Sequence, residues 1–204
     1  MVENGNEGLA SEGHDPLTRS MLLWRAVNAA EYAAVERLRD GTQLQIRALR
    51  PSDRAWMLAA LGRASSTSLY RRFFSPRRTF SDGQIDFLVN VDFVGHVALA
   101  AVMERDGRDV VTGGGRYIVS GPATAEVAFA VEDPHQGLGI ATRVLRHLIG
   151  IARDAGLDEF VAEVLSENAP MLSVFRRSGL PMRTRREGGV VHVTLDLSRS
   201  PGRS

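Results

Sequence analysis

The sequence predicts an α/β (α+β) domain with a mixed, mainly antiparallel sheet of six to seven strands flanked by helices. Short segments with strand-like alternation fill the middle of the chain, and Asp106-Gly107 joins two of them in a pattern typical of a hairpin turn. A buried strand at 125–131 then runs into a glycine-rich turn and an amphipathic helix, which indicates a parallel crossover later in the chain.

The first 41 residues are expected to lie outside the main domain. Residues 1–14 are rich in Gly, Glu, Asn and Ser without apolar periodicity, which predicts a disordered tail. Residues 15–41 begin with Asp-Pro, carry apolar residues at helical spacing and end at a glycine, so an N-terminal amphipathic helix is predicted. Its apolar face fits either the domain or a second copy of the chain, which leaves a homodimer open.

The main domain is predicted to span residues 44–197, with a C-terminal tail at 198–204. Alternating residues predict a strand at 44–49, and Arg50-Pro51-Ser52-Asp53 then opens a helix that ends near Gly62. The remaining predicted elements are helices at 65–74 and 81–90, strands at 96–105, 110–120 and 125–131, a helix at 137–155, a strand at 160–165, a helix at 169–178 and a last strand or hairpin at 190–197.

Composition excludes several classes of function. The formal net charge of +1 gives no electrostatic reason to expect a nucleic acid or an anionic membrane as partner. No apolar run reaches the roughly 20 residues that span a bilayer and no signal-peptide pattern is seen, so a cytoplasmic protein is expected. Cysteine is absent, which excludes disulfides and cysteine-ligated metals. All 25 basic residues are arginine, so no lysine can act as a nucleophile.

The most informative segment is the turn between the 125–131 strand and the following helix. Gly137 and Gly139 permit close approach to the backbone, and the free N–H groups at a helix N-terminus favour an anion such as a phosphate. A Walker A loop would need a lysine, and a Rossmann fingerprint would come in the first βα turn rather than after an antiparallel meander. A pyrophosphate site and a purely structural tight turn remain as two interpretations.

Gln136-Gly137-Leu138-Gly139-Ile140-Ala141 resembles the Gln/Arg-x-x-Gly-x-Gly/Ala motif of the GNAT acetyltransferases, and the order of elements from 44 to 197 is similar to theirs. The resemblance implies a GNAT-like fold with acetyl-CoA as co-substrate. It also implies that the turn amides hold the coenzyme pyrophosphate and that the pantetheine arm lies between two splayed strands. The coenzyme-binding residues that it implies are Phe129, Val131, Gln136, Gly137, Leu138, Gly139, Ile140, Ala141, Thr142, Asn168 and Phe175.

A narrower resemblance concerns the segments 68–76 and 125–128, Ser-Leu-Tyr-Arg-Arg-Phe-Phe-Ser-Pro and Ala-Glu-Val-Ala. They are similar to the catalytic domain of bacterial Pat-type protein lysine acetyltransferases, which implies that Glu126 is the general base. An extended strand from Glu126 to Val131 covers about 16 Å, comparable with the reach of a pantetheine arm, so the carboxylate is expected near the thioester. A solvated charge at a strand end is the alternative for Glu126.

Other candidate residues carry less information. Many GNAT enzymes place a tyrosine acid where this chain has Phe175, so the thiolate is expected to leave without a phenol, and Phe175 is interpreted as a packing residue. No pair of histidines has metal-ligand spacing, and no metal site is expected. Three consecutive glycines at 113–115 indicate a bulge or a close backbone approach within a strand. The basic and aromatic segment 71–80 is interpreted as a solvated helix face with buried phenylalanines, which by resemblance borders the acceptor site.

The sequence therefore predicts an acetyl-CoA-dependent N-acetyltransferase that acts by direct attack of an amine in a ternary complex. The Pat-like segments favour a protein lysine as the acceptor. A small-molecule amine is the alternative acceptor, and a non-catalytic acyl-CoA-binding module is an alternative from a different class of function.

Overall fold

The computed structural model describes residues 29–74 and 80–198, which form a mixed sheet of eight strands flanked by α-helices. The strands are β1 Ala33–Arg37, β2 Gln43–Ala48, β3 His96–Arg105, β4 Arg108–Val119, β5 Thr124–Val131, β6 Glu159–Leu165, β7 Met182–Glu187 and β8 Val190–Asp196. The helices between them are α1 Arg54–Arg63, α2 Ser66–Phe73, α3 Asp82–Val89, α4 Ile140–Asp154 and α5 Ala169–Arg176.

The strands lie in the order β1-β2-β3-β4-β5-β6-β8-β7. Every neighbouring pair is antiparallel except β5 and β6, which run parallel and are connected through α4. The predicted mixed, mainly antiparallel sheet with one parallel crossover is therefore confirmed.

Strand β3 is buried on both faces, and its alternation separates two hydrophobic cores. Val97, Leu99, Ala101 and Met103 belong to the core that α4 and α5 cover. Ala98, Ala100 and Val102 belong to the core beneath α1 and α3, with Met57, Ile85 and Val89. The sheet thus carries helices on both sides, and the first eight residues of β3 are buried between them.

The predicted hairpin turn is confirmed, and two of the helices begin at serine caps. Asp106 and Gly107 connect β3 to β4 with φ of 51° and 71°, the positive values that a two-residue type I′ hairpin turn requires. Ser65 and Ser81 cap α2 and α3 because each side chain accepts a backbone N–H from the first turn of its helix.

The predicted N-terminal helix at 15–41 is wrong over its described part. Helical geometry ends at Ala30, and residues 33–37 form strand β1, paired antiparallel with β2. Gly41, expected to stop the helix, lies with φ of 85° in the turn between these strands. Pairing with β2 outweighs the intrinsic helical preference of this alanine-rich stretch. The predicted tail at 1–14, helical residues 15–28 and tail residues 199–204 lie outside the described residues.

The predicted count of six to seven strands is also too low. Besides β1, the sequence pattern misses β7, whose six residues Met-Arg-Thr-Arg-Arg-Glu carry no alternation of apolar side chains. Such a strand is defined by its ladder with β8 rather than by burial, and sequence periodicity does not report a ladder.

A buried ion pair fixes the path from β2 to α1. Two nitrogens of Arg47 donate to the two carboxylate oxygens of Asp53 at 2.7 and 2.8 Å, and both side chains are 8% exposed. The same carboxylate accepts the N–H of Arg50 at 2.8 Å, so it also closes the short 3₁₀ turn at Pro51–Asp53. This bidentate geometry orients the chain as it leaves the sheet.

Across residues 29–74 and 80–198, none of the helices combines the length and the apolar composition that crossing a membrane requires.

Candidate active site

Strands β5 and β6 separate after a short stretch of pairing. Only Thr124, Ala125 and Glu126 pair with β6, at Glu159, Phe160 and Val161, whereas β5 continues to Val131 and β6 to Leu165. Beyond Glu126 the two strands therefore leave one edge of β5 without a ladder partner. A slot of this kind can accept an extended ligand that makes backbone hydrogen bonds.

The direction of the peptide groups along β5 follows from two hydrogen bonds at its ends. Ser120 N–H donates to Thr124 C=O at 2.9 Å, and Glu132 N–H donates to Thr112 C=O at 3.0 Å, so even-numbered residues direct their peptide groups toward β4. Because directions alternate along a strand, Phe129 and Val131 direct theirs toward the open slot. The Val131 carbonyl already accepts Gln136 Nε2 at 3.2 Å.

The glycine-rich turn presents a row of unused donors at the end of this slot. Gly137 and Gly139 have φ of 80° and 82°, a left-handed conformation that glycine adopts without strain, and Gly139 is the N-cap of α4. None of the six N–H groups from Gly137 to Thr142 donates a hydrogen bond to another described residue. These N–H groups and the helix dipole make the turn a site suited to an anion.

A groove of about 1150 Å³ connects the turn with the slot and with the far end of β5. Most residues predicted to bind the coenzyme line it, together with Glu126; these are Phe129, Val131, Gln136, Gly137, Gly139, Ile140, Ala141, Thr142, Asn168 and Phe175. The exception is Leu138, whose side chain packs against the main core instead, so only its backbone remains available to a ligand.

Aromatic and amide side chains form one wall of the groove. Phe129 and Phe175 are both buried and meet edge to face, with ring centroids 6.0 Å apart. Asn168 is buried at the start of α5, where its Oδ1 accepts the N–H of Met171 at 3.3 Å. Asn168 is thus the helix cap as well as a residue of the groove wall.

The turn is fastened to helix α2 by a cluster around Asp133. Its carboxylate accepts the hydroxyl of Ser68 at 2.5 Å, the N–H of Ser65 at 3.1 Å and the amide of Gln136 at 2.8 Å. The hydroxyl of Ser68 and hydrogen bonds from Ser65 lower the pKa of Asp133 against a smaller opposing effect of burial. The side-chain amide of Gln136 therefore donates its hydrogen bonds to other residues of the protein, Asp133 and the Val131 carbonyl among them.

Glu126 lies exposed at the other end of the groove, between β4 and β6. The charge of Glu126 acts on Arg72 of α2, and Arg116 lies on the neighbouring strand β4. Arg116 stands opposite Ala128 in the ladder, so its side chain projects from the same face of the sheet as that of Glu126.

The three glycines at 113–115 bring β4 close to its neighbours, as the sequence indicates. A Cβ on Gly115 would lie 2.6 Å from the Phe129 ring and 2.9 Å from Val144 of α4. One on Gly114 would lie 2.4 Å from the Leu99 carbonyl. The register also shifts at Thr112, next to Gly113, which confirms a bulge at this point.

The geometry of the groove agrees with the comparison of the whole chain with known proteins. Residues 54–180 match the acetyltransferase (GNAT) family. The chain belongs to the GNAT acetyltransferase family. Acetyl-CoA is the acetyl donor of GNAT acetyltransferases, and the sequence motif predicts that the turn and the open slot bind it.

Similar proteins include two curated acetyltransferases. This GNAT chain is 32% identical over 162 residues to the acetyltransferase Pat of Mycolicibacterium smegmatis, covering 78% of the chain and 47% of that protein. It is 30% identical over 138 residues to an acetyltransferase of Pseudomonas aeruginosa, covering 67% and 74% respectively. The chain thus spans about half the length of the first relative.

Among solved structures, the GNAT domain of PAT from S. lividans is similar with a TM-score of 0.72 and 34% sequence identity. The match covers 80% of this chain and 96% of that domain. The GNAT fold predicted for the chain is therefore confirmed.

Sequence reasoning missed several residues of this GNAT groove. No sequence pattern marked Asp133 or Arg116 as functional, because an isolated charged residue next to a turn or within a strand is common. Their hydrogen-bond partners, Ser68 and His96 respectively, are also far away in the sequence. Within the described ranges, no group of three or more His, Asp or Glu side chains is placed to hold a metal ion.

Proposed function

We propose that this GNAT enzyme transfers the acetyl group of acetyl-CoA to a primary amine, a protein lysine, by direct attack in a ternary complex. One observation carries the proposal: a single groove joins the free amides of the turn to the Glu126 carboxylate along the unpaired edge of β5. The Pat name of the M. smegmatis and S. lividans relatives supports lysine as the acceptor.

In the proposed complex, N–H groups between Gly137 and Thr142 bind the coenzyme pyrophosphate, and the left-handed glycines leave room for its approach. The peptide groups of Phe129 and Val131 that face the slot bind the pantetheine arm. Since the Val131 carbonyl is taken by Gln136, its N–H group is the part that remains for the ligand. Asn168 and Phe175 complete the wall beside the arm.

Glu126 is the proposed general base. A lysine amine is a nucleophile only when neutral, and its ordinary pKa of about 10.4 keeps it protonated near pH 7. Glu126 removes that proton, directly or through water, and the nitrogen lone pair then forms a bond to the thioester carbonyl carbon. The C–S bond breaks and the electron pair leaves with the CoA thiolate, while the nitrogen releases its second proton to water and so becomes a neutral amide. Water in turn protonates the thiolate because Phe175 supplies no acid.

The Glu126→Gln substitution tests this mechanism. We expect kcat to fall by about 10²-fold to 10⁴-fold, most steeply below about pH 8, because the amine loses its proton acceptor. The affinity for acetyl-CoA should be retained, since the side chain lies at the far end of the groove from the turn. Turnover by stopped assay and coenzyme affinity by calorimetry measure the two effects.

Glu104→Gln is the matched control, because Glu104 is exposed near the outer end of β3 and does not line the groove. Equal turnover of the Glu126→Gln variant and the control would remove Glu126 from the mechanism. Mass spectrometry of a cell lysate and of an amine library incubated with acetyl-CoA identifies the acceptor. Acetylation confined to small amines would contradict the lysine proposal, and coenzyme binding without any transfer would support a non-catalytic module.

A further inference from the structure

Arg116 is held in the groove by partners that carry no negative charge. Its guanidinium donates to the Leu88 carbonyl at 3.0 Å and lies 3.0 Å from Nε2 of His96. Burial and the charge of Arg116 lower the pKa of His96 to about 4, while Asp92 opposes them weakly. His96 is therefore neutral near pH 7, and its Nε2 accepts the hydrogen bond from Arg116.

Arg72 has no carboxylate partner within ion-pair distance in the part of the chain that the structure describes. Its guanidinium carbon lies 4.9 Å from the centroid of the Phe73 ring, and the side chain lines the groove. Burial lowers the pKa of Arg72, and the charge of Glu126 opposes this effect. Burial and the charge of Arg72 lower the pKa of Arg116 to about 10. The two cations thus lie close enough to repel each other.

The charge of one carboxylate, Glu126, acts on Arg72, and the partly desolvated Arg116 projects from the same face of the sheet. Three other carboxylates line the groove, and each has a partner: Glu132 pairs with Arg63 at 2.5 Å, Asp133 is held by α2 and the turn, and Glu163 lies 3.4 Å from Nδ1 of His192. When Glu126 accepts a proton from the amine, Arg72 loses its counter-charge, and Arg116 has none among its hydrogen-bond partners. A cation removed from water is stable only with an anion or a full set of acceptors, so this end of the groove favours an anionic ligand.

The turn that suits the coenzyme pyrophosphate lies at the other end of β5 from Glu126, because the extended strand from Glu126 to Val131 is about 16 Å long and the turn follows it. Arg116 stands opposite Ala128, about 10 Å before Val131 along the strand, so we take the acceptor as the source of its anion.

We propose that Arg72 and Arg116 form a subsite for a carboxylate of the acceptor, so that the accepted lysine lies beside an acidic side chain of its own protein. This inference rests on the proposed lysine acetyltransferase function. A lysine ammonium alone would meet two cations and one anion, whereas a lysine beside a carboxylate brings one additional negative charge. Guanidinium groups bind carboxylates through paired hydrogen bonds, which makes the subsite selective as well as attractive.

Equilibrium binding of two matched peptides tests the subsite without chemistry. One fluorescent peptide carries a lysine between glutamates and the other a lysine between glutamines, and each is titrated into the full chain with saturating CoA. We expect the acidic peptide to bind about tenfold more tightly, because hydrogen bonds between charged groups stabilise complexes by that order. The preference should shrink at high salt.

Three variants locate the preference. Arg72→Gln should remove most of it and Arg72→Lys should keep a part, since the charge remains without the paired donors. Arg108→Gln, at an exposed position outside the groove, should bind both peptides like the native chain. Circular dichroism checks that each variant folds.

Equal binding of the two peptides, no binding of the acidic peptide, or a preference unchanged in Arg72→Gln would overturn the subsite. Replacing CoA by acetyl-CoA separates this result from the proposed function. Preferred binding of the acidic peptide without acetyl-lysine formation would leave the subsite standing and contradict lysine acetylation.

Discussion

Arg47 and Asp53 form a buried ion pair whose two halves depend on each other. Removing one partner of such a pair leaves the other charge desolvated and unpaired, which costs more than the pair itself contributes. The Asp53 carboxylate additionally closes the turn that leads to α1, and α1 covers part of the groove. Loss of the Asp53 carboxylate should therefore lower the free energy of unfolding and change the position of α1.

We expect Asp53→Asn to reduce the free energy of unfolding by about 3–5 kcal/mol, because the buried Arg47 guanidinium loses its counter-charge. Urea denaturation followed by circular dichroism measures the change. Asp82→Asn is the control, since the Asp82 side chain is 96% exposed beside Arg54 and should leave stability within error of the native value. Similar midpoints for both variants would contradict the structural role of the pair.

The same carboxylate predicts an acid-sensitive component of stability. Burial alone would raise the pKa of Asp53, but hydrogen bonds from Arg47 and Arg50 and their charges outweigh it and lower the pKa below the ordinary 3.8. A lowered carboxyl pKa contributes stability that is fully present above the ordinary value and lost as pH falls through the folded value. The difference in stability between native protein and Asp53→Asn should accordingly narrow below about pH 4.

Gly115 and Gly150 offer a matched pair of glycine substitutions. Gly115→Ala should destabilise the fold by at least about 1 kcal/mol, because the added methyl would overlap the Phe129 ring and Val144. Gly150 lies exposed within α4 with no heavy atom near its would-be Cβ, so Gly150→Ala should stabilise the fold by about 0.5–1 kcal/mol. Thermal unfolding of both variants measures this, and a shift in the same direction for both would contradict the packing described.

The single residues that sequence reasoning identified share a strong local signal. Gly137 and Gly139 stand out because two glycines at this spacing, directly before a helix, are typical of a turn that binds an anion. Arg72 and Arg116 do not stand out, because their importance comes from burial and mutual proximity, which only the folded chain creates. The motif assigns Gln136 to the coenzyme, and the structure adds contacts with Asp133 that the motif does not reveal.

Helix α2 is linked to the coenzyme turn mainly through Asp133. Asp133→Ala removes the acceptor for both Ser65 and Ser68, so α2 should separate more readily from the turn. We expect faster amide hydrogen exchange in α2 and in the 136–142 turn, together with higher KM values for both substrates. Asp109→Ala, at an exposed position on β4 outside the groove, should exchange like the native chain. Faster exchange in α2 alone would show that the turn does not depend on this link.

At the level of helices and strands, prediction succeeds where the pattern of burial is regular. The alternation along β3 and the amphipathic pattern of α4 are dictated by the cores they face, and the sequence predicts both elements. The prediction fails for strand β1 because its alanine-rich sequence fits either state, and the ladder with β2 decides between them. The prediction fails for strand β7 because five of its six residues are exposed, so its sequence shows no alternation of apolar and polar residues.

The sheet as a whole consists of two parts, β1–β5 and β6-β8-β7, which are joined by only three residue pairs between β5 and β6. A ligand in the slot would connect the parts, so CoA should stabilise the entire fold. At a free concentration about 100 times Kd, linkage gives about 2.7 kcal/mol, or a rise in Tm of roughly 5–10 °C for a domain of this size.

Differential scanning fluorimetry at increasing CoA concentration measures this shift. Adenosine 3′,5′-bisphosphate, which lacks the pantetheine arm, is the matched ligand and should raise Tm less because it leaves the slot empty. A shift equal to that of CoA at the same free ligand concentration would contradict a role of the slot in holding the two parts together.

Strand β7 forms an outer edge of the described sheet, with a row of backbone donors and acceptors that another chain could pair with. Four of its six residues are charged, three arginines and one glutamate. Arg183 forms an ion pair with Glu159, and Arg185 forms one with Glu187. A strand of another molecule that paired with β7 would have to lie beside these charged side chains, three of which are arginines. The exposed edge is thereby protected against aggregation, and growth of the sheet by addition of further molecules is discouraged.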